Sequence, residues 1–374
     1  MIYFDNAATG GFKPDEVICA ASAALKAGAN PGRSGHSLSL ACAERLFTVR
    51  TLLCDFFGGS SPDRVIFTKN CTEALNIAIL GSLSAGDKIV TTVAEHNSVL
   101  RPLRVLQDKG AIVRYAPLDK HGYFDIGALI SLIEEDTKAV VITLASNVTG
   151  ISPDLCAVKA AMPPSAYLIC DGAQACGHDK IDITASGIDA LAVAGHKGML
   201  AAQGCGALIF SERFNPAPVM FGGTGSDSAN AHMPDFYPDR LEAGTLNYPA
   251  AVSLGEGVLY LSSRLYENRD RTIYLTDLLI NGLHQIKGVK VYSRSNPYGI
   301  AAFSLAGMQS EEVASLLSEE FGICVRGGLH CAPLMHEALG SDGLVRASLS
   351  SFNTSGEVNY FLSAVGELAA RCPR

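Results

Sequence analysis

The chain has no tryptophan, and only 18% of its residues are charged against 48% that are hydrophobic. That balance supplies a packed core and excludes the disordered, collagen-like and coiled-coil classes. It has no basic excess either: 29 Lys and Arg face 37 Asp and Glu, a net charge of -8. With no run of like charges, the electrostatic footprint of a nucleic-acid binder is missing. No stretch approaches the roughly 18 uninterrupted apolar residues of a membrane span. The opening MIYFDNAATG carries Asp5 where a signal peptide needs a basic end and then an apolar stretch, so a cytoplasmic location is expected. The eleven cysteines include no C-x-x-C pair, which argues against a disulfide framework or a zinc site; no metal is expected, and most should be reduced and buried. There is no internal repeat or low-complexity tract. What remains is a globular chain of 374 residues, a length that suggests about two domains.

From about residue 60 short β-branched runs alternate with helical patterns: RVIFT, KIVTTV, IVRYA, AVVITL, AYLIC, ALAVAG and GALIF. Runs apolar at nearly every position suit strands buried on both faces of a mostly parallel sheet with helices outside, an α/β fold. After GALIF comes a Gly/Pro/Ser-rich stretch without periodicity, then a helical pattern from Pro249 to about Ile286. The tail offers strands at VKVYS and GIAAFSL, a helix from Ser310, a strand-like GICVRGG and a closing helix from Thr354. These features predict a large α/β domain over 15–259 and a smaller α+β domain made of 1–14 and 260–374.

Ligands of such sheets sit at the carboxyl ends of the strands, and five strand ends carry suitable residues. AYLICDGAQ ends on Asp171 and DALAVAGHKG on Lys197. That pairing is what a pyridoxal phosphate enzyme needs, the lysine for a Schiff base and the carboxylate to keep the pyridine nitrogen protonated. Taken singly, Asp171 equally suits a helix cap and Lys197 a surface position. FTKNCTEALN places Cys71 and Thr72 in the first turn of a helix, an anion site suited to a phosphate, with Asn70 or Thr72 as an ordinary cap the other reading. KIVTTV leads to His96, whose imidazole can stack on a pyridine ring or serve structure alone. AVVITL leads to Asn147, a donor for a phenolic oxygen. The agreement of all five outweighs the separate alternatives.

The ordered set FDNAAT, NCTEALN, EHNS, SNVTG, DGAQ, GHKG, RLEAGTLN and RGGLHCAP…VRASLSSFNT resembles the fold-type I, class V aminotransferase superfamily. Within it the chain is similar to the Suf-type cysteine desulfurases and their selenocysteine lyase relatives, from about residue 3 to the end. The resemblance implies an aspartate aminotransferase-like fold and pyridoxal 5'-phosphate as cofactor. It makes Lys197 the Schiff-base lysine, Asp171 the partner of the ring nitrogen, Gln174 and Asn147 partners of the ring hydroxyl, and His96 the stacking ring. Cys71, Thr72 and His196 would line the phosphate site. Thr245, reaching over from a second subunit, would close it, which implies a homodimer.

RGGLHCAPLMHE holds Cys331 in a Gly-flanked loop bracketed by Arg326 and Arg346. Arginine suits bidentate capture of an amino acid's carboxylate, and a cysteine near such cations is a usable nucleophile; a buried cysteine beside structural arginines is the alternative. The resemblance implies that Cys331 takes sulfur from L-cysteine as a persulfide, releases L-alanine and passes the sulfur to a thiol or protein acceptor, for iron–sulfur clusters or other uses. Arg346 would bind the substrate carboxylate, and Arg33 and His36 belong to a segment that approaches the active site. L-Selenocysteine lysis, another class V lyase or aminotransferase activity, and a non-catalytic scaffold for sulfur-carrier proteins are the competing readings. Two positions depart from the pattern. Ala194 removes a hydroxyl from the expected phosphate cup, so that GGTGS at 222–226 is a second candidate for the phosphate, and Leu329 replaces a histidine before the nucleophile.

Overall fold

A computed structural model describes residues 1–32 and 34–371. The chain opens with β1 (Ile2–Tyr3), α1 (Asp15–Ala27) and α2 (Ser37–Phe56). The alternating region then runs β2 (Val65–Thr68), α3 (Cys71–Ser82), β3 (Lys88–Thr92), α4 (Asn97–Asp108), β4 (Ile112–Ala116) and α5 (Ile126–Ser131). It continues with β5 (Thr137–Thr143), α6 (Leu155–Ala161), β6 (Tyr167–Asp171), β7 (Ala190–Ala194) and β8 (Gly206–Phe210). After a long irregular stretch come α7 (Tyr248–His284), β9 (Val289–Val291), β10 (Ile300–Leu305), α8 (Ser310–Phe321) and β11 (Ile323–Cys324). The chain closes with α9 (Pro333–Leu339), β12 (Val345–Ser348) and α10 (Ser355–Arg371).

Seven strands form the central sheet in the order β2-β8-β7-β6-β5-β3-β4. Only β8 runs against its neighbours; the rest are parallel, as the unbroken apolar runs predict. Strand periodicity feeds two separate cores. Along β5, Val140 and Ile142 point into one hydrophobic cluster while Ala139 and Val141 point into the other. The same alternation puts Leu191 and Val193 of β7 on one face and Ala190 and Ala192 on the other. A one-residue slip would exchange the two sets, so both cores fix the register.

The 37-residue α7 starts where the side chain of Asn247 accepts a hydrogen bond from the Ala250 amide at 3.3 Å. Its first turns pack Ala250, Leu254 and Leu261 into the sheet's core, and its last turns pack Leu275, Leu279 and Leu283 into a third cluster. That third cluster holds Phe303 of β10, Val345 of β12, Phe361 of α10 and also Phe4. The N-terminal strand reaches it by pairing in parallel with β11, while β12-β10-β9 form an antiparallel sheet beside it. Among the described residues no helix is long and apolar enough to cross a membrane.

Candidate active site

In the sheet order β7, β6, β5 and β3 are neighbours and parallel, so their carboxyl ends converge at one edge. A cavity of about 300 Å³ opens there. Lys197 follows β7 and lines it with Asp171 at the end of β6. Enclosure by the protein holds the Lys197 amine below its ordinary range, Asp171 working against the shift and Arg346 and Arg326 with it. Asp171 is 3% exposed. Its Oδ1 accepts from the Ala173 amide at 2.8 Å and from the Cys71 thiol at 3.4 Å, so the carboxylate both caps the following turn and faces the cavity.

One end of the cavity is the N-terminus of α3. The Asn70 side chain caps it by accepting from the Glu73 amide at 2.9 Å, which leaves Cys71 and Thr72 in the first turn, both lining the cavity. First-turn N–H groups have no partner within their helix and favour an anion. Thr72 Oγ1 lies 2.7 Å from Ser98 Oγ, which in turn lies 2.8 Å from Nδ1 of His96. His96 also caps α4, its Nδ1 accepting from the Ser98 amide at 3.0 Å. Burial pushes His96 down to about 4 although Asp171 opposes the shift, so the ring is neutral near pH 7. His196 is likewise lowered to about 4 by burial, helped by Lys197 and Lys13, and its Nδ1 stands 3.1 Å from Thr9 Oγ1.

Arg326, Arg346 and His330 also line the cavity. Arg346 is 1% exposed; it donates to Asp5 Oδ1 and to the Asn147 carbonyl, each at 2.9 Å, and its Nε is buried without a partner. Arg326 also borders the cavity and, among the described residues, has no carboxylate partner. His330 and Cys331 both adopt left-handed backbone conformations, with φ of 50° and 58°. Such angles cost a non-glycine residue about 1–2 kcal/mol. The surroundings hold them: the Asn97 amide donates to the Cys331 carbonyl and Asn147 Nδ2 to the His330 carbonyl, each at 2.7 Å. Cys331 itself is exposed, while His330 is 2% exposed and burial lowers it to about 3.

Asn147 and Gln174 line the cavity, yet each amide nitrogen already donates to backbone: Asn147 to His330, and Gln174 Nε2 to the Ala7 carbonyl at 3.0 Å. An amide nitrogen carries two hydrogens, so one donor remains on each. Thr245 does not line this cavity; within one chain it borders a separate pocket with Lys69 and Asn247. His36 is exposed and caps α2 by accepting from the Ser39 amide at 3.2 Å. Arg33 lies outside the described residues. Thr224 and Ser226 of the GGTGS segment lie outside the Lys197 cavity of their own chain and line a cavity of about 250 Å³ with Arg50, Asp63, Asp239 and Glu242, where Arg50 is paired with Glu242. Ala194 does border the main cavity.

Sequence reading gave no role to Asp5, Thr9, Glu95, Ser98 or His330. Each stands inside or beside a motif that was quoted for another residue, so adjacency was the available signal. Glu95 is fully buried; its Oε1 accepts from Thr92 Oγ1 at 2.7 Å and from the Thr143 amide at 3.1 Å.

The family model described as Aminotransferase class-V matches residues 2–361. The chain belongs to the class V aminotransferase family. A curated relative from Methanothermobacter thermautotrophicus, described as a probable cysteine desulfurase, is 35% identical over 91% of this chain and 88% of its own length. Another so described, from Synechocystis, is 32% identical over 98% of this chain and 90% of its own. Among solved structures, the apo cysteine desulfurase of Thermococcus onnurineus superposes with a TM-score of 0.90 at 31% identity, covering 99% of this chain and 94% of that one. The class V chain and that structure thus share their fold from end to end.

Proposed function

We propose that this chain is a pyridoxal phosphate-dependent cysteine desulfurase that moves sulfur from L-cysteine to Cys331 and releases L-alanine. One observation carries the reading: a single cavity holds Lys197 and Asp171, is bordered by Arg326 and Arg346, and has the Cys331 loop pinned to its wall by Asn97 and Asn147.

The residues suit the cofactor. Lys197 is positioned to anchor its aldehyde, Asp171 to hold the ring nitrogen's proton, and the spare donors of Asn147 and Gln174 to reach its hydroxyl. The neutral His96 ring offers a flat face, and the start of α3 with Thr72 and His196 offers donors to the phosphate. Once bound, pyridoxal phosphate supplies an electron sink for the charge left when a proton departs the substrate's α-carbon. Lys197, kept below its ordinary range, accepts that proton as a free amine. Arg326 and Arg346, whose Nε has no partner among the described residues, hold the substrate carboxylate. The Cys331 thiolate attacks the substrate sulfur: the sulfur–sulfur bond forms as the carbon–sulfur bond breaks, and the carbon fragment keeps the electron pair and takes up protons to become alanine. The persulfide then passes to a thiol or a sulfur-acceptor protein. The working unit is a homodimer in which the second subunit's copy of Thr245 completes the phosphate site.

The test is a visible absorbance spectrum with and without L-cysteine, alongside alanine and sulfide measured under reductant. A lysine-linked band that responds to cysteine, with equal alanine and sulfide, is expected. Cys331→Ala should keep the band and lose sulfur transfer. A band indifferent to cysteine, or sulfur transfer surviving in Cys331→Ala, would overturn the assignment.

A further inference from the structure

Asp171 is an expensive group to bury, since a carboxylate removed from water must recover its hydrogen bonds from the protein. Its carboxyl torsion is also soft, because terminal sp³–sp² torsions are broad and two-fold. Something must therefore decide which oxygen meets the cavity. Both hydrogen bonds it receives among the described residues go to the same atom: Ala173 N at 2.8 Å and Cys71 Sγ at 3.4 Å, each to Oδ1. Oδ2 receives none.

Three thiols stand around this carboxylate, and burial with the charge of Asp171 pushes Cys71, Cys170 and Cys176 all above the ordinary thiol range. They are thus donors near pH 7, not thiolates. Cys71 alone of the three lines the cavity, and among the described residues it alone hydrogen-bonds Asp171. Its place follows from the fold. Although β2 sits at the sheet's edge beyond β8, α3 packs across β8, β7 and β6, which carries its first residue to the end of β6.

We infer that Cys71 is a positioning residue for the cofactor: its thiol pins Oδ1 of Asp171, so that Oδ2 is presented to the ring nitrogen of pyridoxal phosphate. This moves Cys71 from the phosphate end of the site, where its sequence position had placed it, to the ring nitrogen, and it rests on the cofactor reading above.

Purified wild type, Cys71→Ala and Cys71→Ser are stripped of cofactor and titrated with pyridoxal phosphate. The dissociation constant and the pH midpoint of the lysine-linked band are read for each, with no substrate present. A net hydrogen bond of ordinary strength corresponds to about fivefold in affinity. Cys71→Ala is expected to bind about fivefold more weakly and to shift the band's pH midpoint, because an unpinned Asp171 holds the ring nitrogen's proton differently. Cys71→Ser, which keeps a donor, should stay within about twofold of wild type. Equal behaviour of Cys71→Ala and wild type would overturn this inference alone, as would equal weakening in both variants. A wild-type chain that forms no band would overturn the cofactor reading and this inference with it.

Discussion

Asp5 and Arg346 stand 341 residues apart in the chain and meet at 2.9 Å, beside an Arg326 that has no acidic partner among the described residues. The two arginines are therefore different instruments although both border the cavity. Arg346→Leu leaves Asp5 and the Asn147 carbonyl without their donor, and each group so left costs about 1–3 kcal/mol where it is buried, less at Asp5, whose side chain is 22% exposed. Arg326→Leu breaks no such pair. Denaturant unfolding is expected to show the large loss in Arg346→Leu and little change in Arg326→Leu. Steady-state kinetics should show that Arg326→Leu raises KM for L-cysteine by about tenfold, the worth of a charge-assisted contact to a carboxylate. Equal stability losses in the two variants would contradict this division.

Glu95 makes stability depend on pH in an unusual direction. Burial pushes its carboxyl from 4.5 up to about 8, with the Asp171 charge adding to the shift and hydrogen bonds from Thr92 and Thr143 opposing it. The folded chain then holds a proton that the unfolded chain releases, so stability falls as pH rises from 4.5 to about 8 and levels off above. Buried His96, His196 and His330 act with the opposite sign, their lowered values giving stability that grows as pH rises towards 6.5. Between 6.5 and about 8 the Glu95 slope is opposed by Lys13, which burial lowers to about 8, and by Lys197, also lowered by burial, both of which give stability that rises with pH. Relative to wild type, Glu95→Gln should lose the falling component across that window and gain on the order of a few kcal/mol above it. A variant with the wild-type slope would clear Glu95 of responsibility.

The strands of the central sheet were legible because both faces are buried, which leaves runs such as AVVITL with almost no polar interruption. The helix α7 was legible from its period over a great length. By contrast α2 went unread, with only Arg33 and His36 in the segment before it named from the sequence. Its buried Leu46, Val49 and Leu53 share the helix with exposed Leu38, Leu40 and Phe47, so apolar residues ring it and no single stripe emerges. The pairing of β1 with β11 joins two-residue strands more than 300 positions apart and leaves no local signal. The site divides in the same way. Residues at strand ends could be named from the sheet's polarity alone. That Asn147 also holds the His330 carbonyl, or that Cys71 reaches Asp171, depends on contacts between separate elements.

The proposed homodimer is testable on the exposed apolar side chains of α2 and the irregular stretch before α7. Phe47 is 54% exposed, Phe221 74% and Phe236 52%, and Phe47 lines one cavity with Thr224 and Ser226. Burying about 800 Å² per partner is usual for a stable interface, and a charge placed at its centre without a partner opposes association. Phe47→Glu is expected to shift sedimentation from dimer towards monomer. Because Thr245 lies outside the Lys197 cavity of its own chain, pyridoxal phosphate affinity should fall with protein concentration in that variant. A dimer that survives Phe47→Glu would place the contact elsewhere.

Cys331 combines nucleophile and strain, and the two separate by substitution. Its φ of 58° follows a φ of 50° at His330, and the pair persists because Asn97 and Asn147 hold the two carbonyls. A glycine adopts that conformation without the clash of a Cβ, whereas alanine retains it. Both substitutions remove the thiol. Cys331→Gly should therefore match Cys331→Ala in losing sulfur transfer, yet exceed it in stability by about 1 kcal/mol. The difference should vanish in an Asn147→Ala background, where the His330 carbonyl is released and the loop can leave the left-handed region. Measuring unfolding of the four proteins as a double-mutant cycle checks this, since residues coupled through one hydrogen-bonded segment, here Asn147 on the His330 carbonyl next to Cys331, give coupling energies of about 0.5–3 kcal/mol. A Gly–Ala difference that persists without Asn147 would mean that other contacts, such as the amide of Asn97, suffice to hold the loop in its strained form.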